Sequence, residues 1–387
     1  MYEREARSWG GHRPSGGLGS FEANVRGAGP SFSVYVYLLS RLATLVTAAG
    51  IAVISESSIG DVLSHWDGGW YLSIVRDGYP SFVPSGSGVA AQSSIAFFPG
   101  FPLLVRALSA PFGLSPVLIG CAVSLVAGLF ATVGLWHLAV RLGDEPTAER
   151  AVVLFAFMPA AFVMSMVYAD ALFLAFAIWC LIGLLDERWV AAGASAAIAG
   201  LVRPTAVALC FACAWGAVVA IRRGGSRRAM AAPAIAPWGA LSYLAYVWLH
   251  TGDALAFFKV ESRGWGNHLD IGAANIRAVL RHFGETRVTF FVAMLAVVVG
   301  GLGVGLWLLV RWHAPGVVVV YVSAVVGLSL LGSNPVSIPR FLLAACPLLI
   351  PLAGRLSHRA TLGIAAASGV LMGTHFFVTG LSPTLPP

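Results

Sequence analysis

The sequence predicts an all-α, polytopic transmembrane protein, and three observations predict it. Hydrophobic residues make up 58% of the chain and charged residues only 11%, where soluble domains carry roughly a quarter charged residues. Mean hydropathy is +0.82. Many apolar runs reach the ~20 residues that a helix needs to cross hydrocarbon. Helices are the expected spanning element because lipid offers no partner for backbone polar groups. The runs are too long and too uniformly apolar for the alternating ~10-residue strands of a membrane barrel.

In chain order, residues 1–30 are rich in Gly, Ser and Pro, lack an apolar signal-peptide core and read as a disordered cytoplasmic tail. Residues 31–387 read as one integral-membrane domain. Candidate spans are 34–54, 115–140, 151–166, 170–185, 189–202, 204–221, 230–250, 287–310, 316–332, 338–353 and 360–380, about eleven in all, with 97–110 re-entrant or interfacial. No inverted repeat of the kind secondary transporters carry is visible.

Sidedness follows from positive charge. Arg222 to Arg228, "RRGGSRR", is the strongest basic loop and is expected in the cytoplasm. Counting outward then puts the N-terminus inside, with Arg141, Arg150, Arg188, Arg311, Arg355 and Arg359. The loops 55–98 and 251–286 and the turns near Asp170, Arg203 and Arg340 fall outside. That outer set holds nine of the 17 acidic residues: Glu56, Asp61, Asp67, Asp77, Asp170, Asp253, Glu261, Asp270 and Glu285. Chemistry is therefore expected on the extracytoplasmic face. The net charge of +7 comes almost wholly from arginines at helix ends, so the chain lacks the basic soluble patch of a nucleic-acid binder. The Cys210–Cys213 pair lies inside an apolar run and reads as packing. No close His/Asp set has metal-ligand spacing, and no metal or other cofactor is expected.

The first outer loop carries the densest polar cluster, "HWDGGWYLSIVRDGYP", with His65, Asp67 and Arg76 among Trp66, Trp70, Tyr71 and Tyr79. Gly68 and Gly69 allow close backbone approach to a ligand. The rings read either as a floor under a ligand or as an interfacial aromatic belt. Tyr168 and Asp170 follow between two apolar runs, Arg203-Pro204 at an outer break, and Arg340 at the mouth of a late span. Arg203 and Arg340 suit a lipid phosphate through their planar fork of donors. Arg76, Lys259, Arg263 and His268 are further candidates, against snorkelling as the alternative. The second outer loop, Phe257 to Asp270, with Trp265 as a further substrate-contact candidate, reads equally as a lid or as an interfacial helix. Arg41 and Arg106 stand in apolar surroundings, where charge costs roughly 2.5–3.5 kcal/mol, and call for an internal acidic partner.

Several short motifs in order resemble the PIG-V family of polytopic mannosyltransferases, within the GT-C class. These are Trp66-Asp67 through Gly78-Tyr79, Phe97-Phe98-Pro99, Tyr168-Ala169-Asp170-Ala171-Leu172-Phe173, and Arg203-Pro204. The sequence departs from the family pattern with Asp170 for Glu and Ala169 for Ser. The resemblance implies a GT-C fold, a polyprenyl-phosphate-mannose donor and a glycolipid or glycan acceptor. The leaving group travels with such a donor, so no nucleotide-binding loop is needed, and none is present. One carboxylate opposite the phosphate would then serve as general base, with inversion at the anomeric carbon. Asp67 is the candidate, and Asp170 either orients it or caps a helix. A transporter or flippase of a lipid-linked sugar is the alternative, and a scaffold subunit a third.

Overall fold

The computed structural model describes residues 29–268, 300–301, 303–331 and 337–382. Among them the elements are helical: α1 Gly29–Ile54, α2 Ile59–Leu63, α3 Asp67–Asp77, α4 Gly100–Ser109, α5 Pro116–Leu142, α6 Glu145–Ala156, α7 Asp170–Leu185, α8 Trp189–Val202, α9 Val207–Arg222, α10 Ala231–Ile235, α11 Trp238–Thr251, α12 Ala256–Gly264, α13 Gly316–Leu331, α14 Ile338–Phe341, α15 Leu349–Ala353 and α16 His358–Leu381. Residues 1–28, Asp270, Glu285 and most of the span expected over 287–310 lie outside the described residues.

Among the described residues, four helices are long and apolar enough to cross a membrane: Pro30–Ile54, Pro116–Leu142, Pro204–Arg222 and His358–Leu381. Shorter apolar helices accompany them, among them α7, α8 and α13. At 1.5 Å per residue, the 16 residues of α7 reach about 24 Å, short of a ~30 Å hydrocarbon core. The expected figure of about eleven spans is thus not confirmed by length and composition among the described residues. Three expected spans are broken, each beside a proline, which removes a backbone donor and clashes with the preceding turn. The 151–166 run ends as α6 at Ala156, before Pro159, and resumes as a 3₁₀ turn over Ala161–Ser165. The 230–250 run divides into α10 and α11 at Pro237. The 338–353 run is α14, a 3₁₀ stretch holding Pro347, and α15.

At the centre α7 packs between α5 and α8. Helices α1, α6 and α16 pack together on one side, and α10 and α11 lie on the far face of α8. Small residues permit these approaches, as is common where lipid removes the hydrophobic drive between helices. On α8, Ala192, Gly193, Ala196, Ala199 and Gly200 are buried at helical spacing. A Cβ on Gly193 would lie 2.9 Å from the Ala232 carbonyl, and one on Gly239 would run into the Ala197 carbonyl.

Arg41 is buried on α1, and its partners correct the expectation of an acid. Its guanidinium donates to the Ala156 carbonyl at 3.0 Å and to the Ala161 carbonyl. It also donates to Ser40 Oγ at 3.2 Å and lies 5.1 Å from the Tyr37 ring centroid. The Ala156 carbonyl is one of those that the end of α6 leaves without an intrahelical partner, and Ala161 opens the 3₁₀ turn that follows. Arg106 sits exposed in the last turn of α4. Cys213 packs against Cys180 on the neighbouring helix, Sγ to Sγ 3.9 Å.

Replacing Gly239 with Val is expected to force α11 from α8 and cost about 1–3 kcal/mol by overpacking. Gly363→Ala, on a helix face with open space, should be neutral or slightly stabilising. Thermal unfolding of both variants in detergent checks the contrast.

Candidate active site

The first loop is fixed at its start by a capping box on α2. Ser58 Oγ accepts from the Asp61 backbone N–H, and the Asp61 carboxylate accepts from the Ser58 N–H, both at 3.1 Å. The chain then turns sharply at Trp66, whose φ of +60° is unusual for a residue with a side chain. Such a conformation costs on the order of 1–3 kcal/mol and persists only where neighbours impose it. Here the Trp66 indole N–H donates to the Thr379 carbonyl on α16 at 3.1 Å. Leu63, just before the turn, accepts from the Val167 N–H at 2.9 Å.

The turn delivers Asp67 as the first residue of α3. Its backbone N–H donates to Tyr168 Oη at 3.3 Å, and the Tyr168 hydroxyl donates to the His65 carbonyl at 3.3 Å. Tyr168 is fully buried, and its own carbonyl accepts from Ser124 at 3.0 Å. The first loop is thereby stitched to the residues that open α7. Asp170 is the first residue of α7, so both carboxylates stand at helix N-termini, where the helix dipole favours negative charge.

Two arginines complete the cluster. Arg340, on α14, donates to Asp67 Oδ2 at 2.6 Å. Arg203, which follows α8, donates to Asp170 Oδ1. Arg340 Nε lies 3.9 Å from Asp170 Oδ1, too far for a hydrogen bond, so one guanidinium stands between both acids. The side chains of Asp170, Arg340, Arg203 and Asp67 are 5%, 7%, 12% and 20% exposed, which leaves Asp67 the most open of the four. Rings frame the cations: the Arg340 guanidinium lies 5.3 Å from both the Tyr168 and Phe341 centroids, and Arg203 lies 5.3 Å from Phe341. Among the described residues Arg340 Nε has no hydrogen-bond partner and Asp67 Oδ1 accepts none. A small cavity is lined by Asp170, Arg203, Arg340, Phe341 and Thr205. The arrangement offers unused guanidinium donors for an anion and an unused carboxylate oxygen for a proton.

The remaining sequence candidates separate into groups. Tyr71 is buried against Phe97 and Phe101, with ring centroids 5.2 and 5.1 Å apart. Burial pushes its phenol well above the ordinary range, and the Asp67 charge adds to this. Trp265 sits edge-on to Trp70 and Phe97 at 5.5 and 5.7 Å. Tyr79 ties the loop to itself, donating to the Phe97 carbonyl at 2.7 Å. His65 packs edge-on to Trp66 at 5.0 Å and contributes its carbonyl to the Tyr168 hydroxyl. Arg76 does not join the site: it pairs with Asp77 at 2.9 Å, with both side chains largely exposed. Lys259 is held by Asp253 on its own loop at 2.5 Å. Arg263 is exposed, and His268 is exposed with Nδ1 2.7 Å from the Gly266 carbonyl. A near neighbour acid explains both misplaced cations, since Asp77 is adjacent to Arg76 and Asp253 precedes Lys259 by six residues.

Residues 34–216 match the family model Mannosyl_trans2, described as mannosyltransferase (PIG-V), so the resemblance read from the motifs is borne out over that segment. The chain is similar in fold to the crystal structure of ArnT from Cupriavidus metallidurans bound to undecaprenyl phosphate. The TM-score is 0.55 and identity 16%, over 90% of this chain and 75% of that one. Among curated proteins, none matches.

Removing one member of a buried ion pair costs about 3–5 kcal/mol, because the other charge is left uncompensated. Arg340→Gln is therefore expected to destabilise strongly, and the Asp67→Asn/Arg340→Gln double variant by less than the sum of the singles. Unfolding of the two singles and the double in detergent tests this; additive losses would show that the side chains do not interact.

Proposed function

We propose that the protein transfers mannose from a polyprenyl-phosphate-mannose donor to an acceptor hydroxyl on the extracytoplasmic face, with inversion and with Asp67 as general base. The observation that carries this reading is Asp67, held by Arg340 through one carboxylate oxygen with the other unengaged, beside a second arginine. Arginine presents five N–H donors. Arg340 can therefore hold Asp67 and still grip a phosphate through its remaining donors, with Arg203 as second partner. In the reaction the acceptor oxygen attacks the anomeric carbon as the bond from that carbon to the phosphate oxygen breaks. The electron pair leaves with the phosphate, whose growing charge the arginines stabilise. The acceptor proton passes to Asp67. Asp170, almost wholly buried, fixes Arg203 and helps set Arg340 between the two acids.

An apolar groove of about 540 Å³ supports a lipid donor. Leu108, Val123, Phe130, Leu172, Phe176 and Trp179 help line it, the last three on one face of α7, the helix that Asp170 opens. The ArnT structure, which holds undecaprenyl phosphate, supports the same lipid class. The reading calls for no cofactor beyond the lipid-linked sugar. The acceptor is expected to be a glycolipid or glycan, approaching from the side of the first and second loops.

Reconstitution in liposomes with polyprenyl-phosphomannose and an acceptor panel of alkyl mannosides and phosphatidylinositol mannoside tests this reading. Wild type should form a glycosidic bond. Asp67→Asn should still bind donor but lose about 10²–10⁴-fold in transfer, the usual contribution of a positioned base. Movement of donor across the bilayer without any new glycosidic bond would instead establish a flippase.

A further inference from the structure

Helix α9 has the charged cluster at one end and a different charged feature at the other. It continues the 3₁₀ turn Pro204–Ala206, and the whole run Pro204–Arg222 is 19 residues long. At 1.5 Å per residue that is about 28 Å, close to the ~30 Å of a hydrocarbon core. Arg203, which binds Asp170, stands at its start. Arg222, Arg223, Arg227 and Arg228 gather at its end. Where this helix crosses the bilayer, the two charged groups lie at opposite surfaces, so the four arginines are no part of the candidate active site.

The reversal that carries them has a defined geometry. The Gly225 N–H donates to the Ala220 carbonyl and the Gly224 N–H to the Ile221 carbonyl, both at 2.9 Å. This is a Schellman cap, with Gly224 at a φ of +77°. A Cβ on Gly225 would lie 2.8 Å from the Ala220 carbonyl. Ser226 then caps the 3₁₀ turn Arg227–Met230, its Oγ accepting from the Arg228 N–H at 3.2 Å. That turn packs on α8, α9 and α10, and Ala229 within it is buried. One tight reversal thus holds two pairs of arginines at the end of a membrane-length helix.

All four arginines are exposed, and among the described residues none of them is in an ion pair. Helices α8, α9 and α10, against which the turn packs, contain no acidic residue. Asp186, ahead of α8, is taken by Arg141 at 3.0 Å, and Glu187 and Arg188 beside it cancel in charge. The approach to the arginines is apolar. Phe211, Trp215 and Val218 of α9 are exposed at i, i+4 and i+7, and Arg222 follows four residues later on the same face. The stripe therefore ends in a guanidinium.

We propose that this end of α9 binds an anionic phospholipid, its phosphate held by the arginines and an acyl chain lying along Phe211, Trp215 and Val218. Arginine's planar fork of donors suits a phosphate. Free phosphate would satisfy the charge but leave the stripe uncovered. A zwitterionic head group brings a phosphate together with its own ammonium, whereas four uncompensated cations select a head group of net negative charge. The inference is independent of the proposed transfer reaction.

Titration of the full-length protein in neutral detergent with fluorescent phosphatidylglycerol or phosphatidylcholine tests it. Wild type should bind phosphatidylglycerol at least about tenfold more tightly, and the quadruple variant Arg222→Gln/Arg223→Gln/Arg227→Gln/Arg228→Gln should lose that preference. Without any variant, the wild-type preference should shrink as salt is raised, because exposed charges are screened. Equal binding of the two lipids would overturn the proposal, as would a preference that survives in the quadruple variant or ignores salt. Displacement of phosphatidylglycerol by an equal concentration of inorganic phosphate or of its deacylated head group would also overturn it, showing an anion site that makes no use of the lipid chain.

Discussion

A charge removed from water must find a partner, and that constraint organises this molecule. Four ionisable side chains, Asp67, Asp170, Arg203 and Arg340, come from four separate parts of the chain and neutralise one another where little water reaches. Each anion also sits at a helix N-terminus. Replacing such a set by apolar groups often leaves stability unharmed, so stability alone does not account for it. Under the proposed function its use is electrostatic: donors already aimed and desolvated do not have to reorganise when charge develops on a leaving group. The same rule accounts for Arg41, which among the described residues has no acid but takes the Ala156 carbonyl at the end of α6 and the Ala161 carbonyl of the next turn.

The bundle holds that cluster in register by tying loops to helix ends. Trp66 adopts a left-handed backbone and is pinned by Thr379, more than 300 residues away. Tyr168 bridges the first loop and the start of α7 with its hydroxyl. Helix α12 packs on the 3₁₀ turns of the first loop, and Trp265, just past it, covers Trp70 and Phe97.

Much of the fold was legible because apolar runs and their interruptions mark helices directly. The runs 170–185 and 189–202 are α7 and α8 to the residue. The breaks at Pro159, Pro237 and Pro347 were not, because proline is tolerated inside membrane helices where neighbours satisfy the freed backbone groups. Asp67 stood out because a carboxylate among glycines and rings is rare in so apolar a chain. Arg340 stood out as a phosphate candidate, but its pairing with Asp67 did not, since the two are 273 residues apart and pattern carries no information over that distance. Arg76 and Lys259 were chosen for charge alone, although a local acid was available to each. The family model covers residues 34–216 and so includes Asp67, Asp170 and Arg203 but not Arg340.

The central claim is that the arginines of this cluster receive a lipid phosphate beside the Asp67 carboxylate. An experimental structure of the protein with polyprenyl phosphate tests it most directly. The account predicts phosphate oxygens at about 2.7–2.9 Å from guanidinium nitrogens of Arg203 and Arg340, the range of charge-assisted hydrogen bonds, with the isoprenoid chain along Leu172 and Phe176. A phosphate bound elsewhere on the protein, with both arginines still closed on their carboxylates, would contradict it.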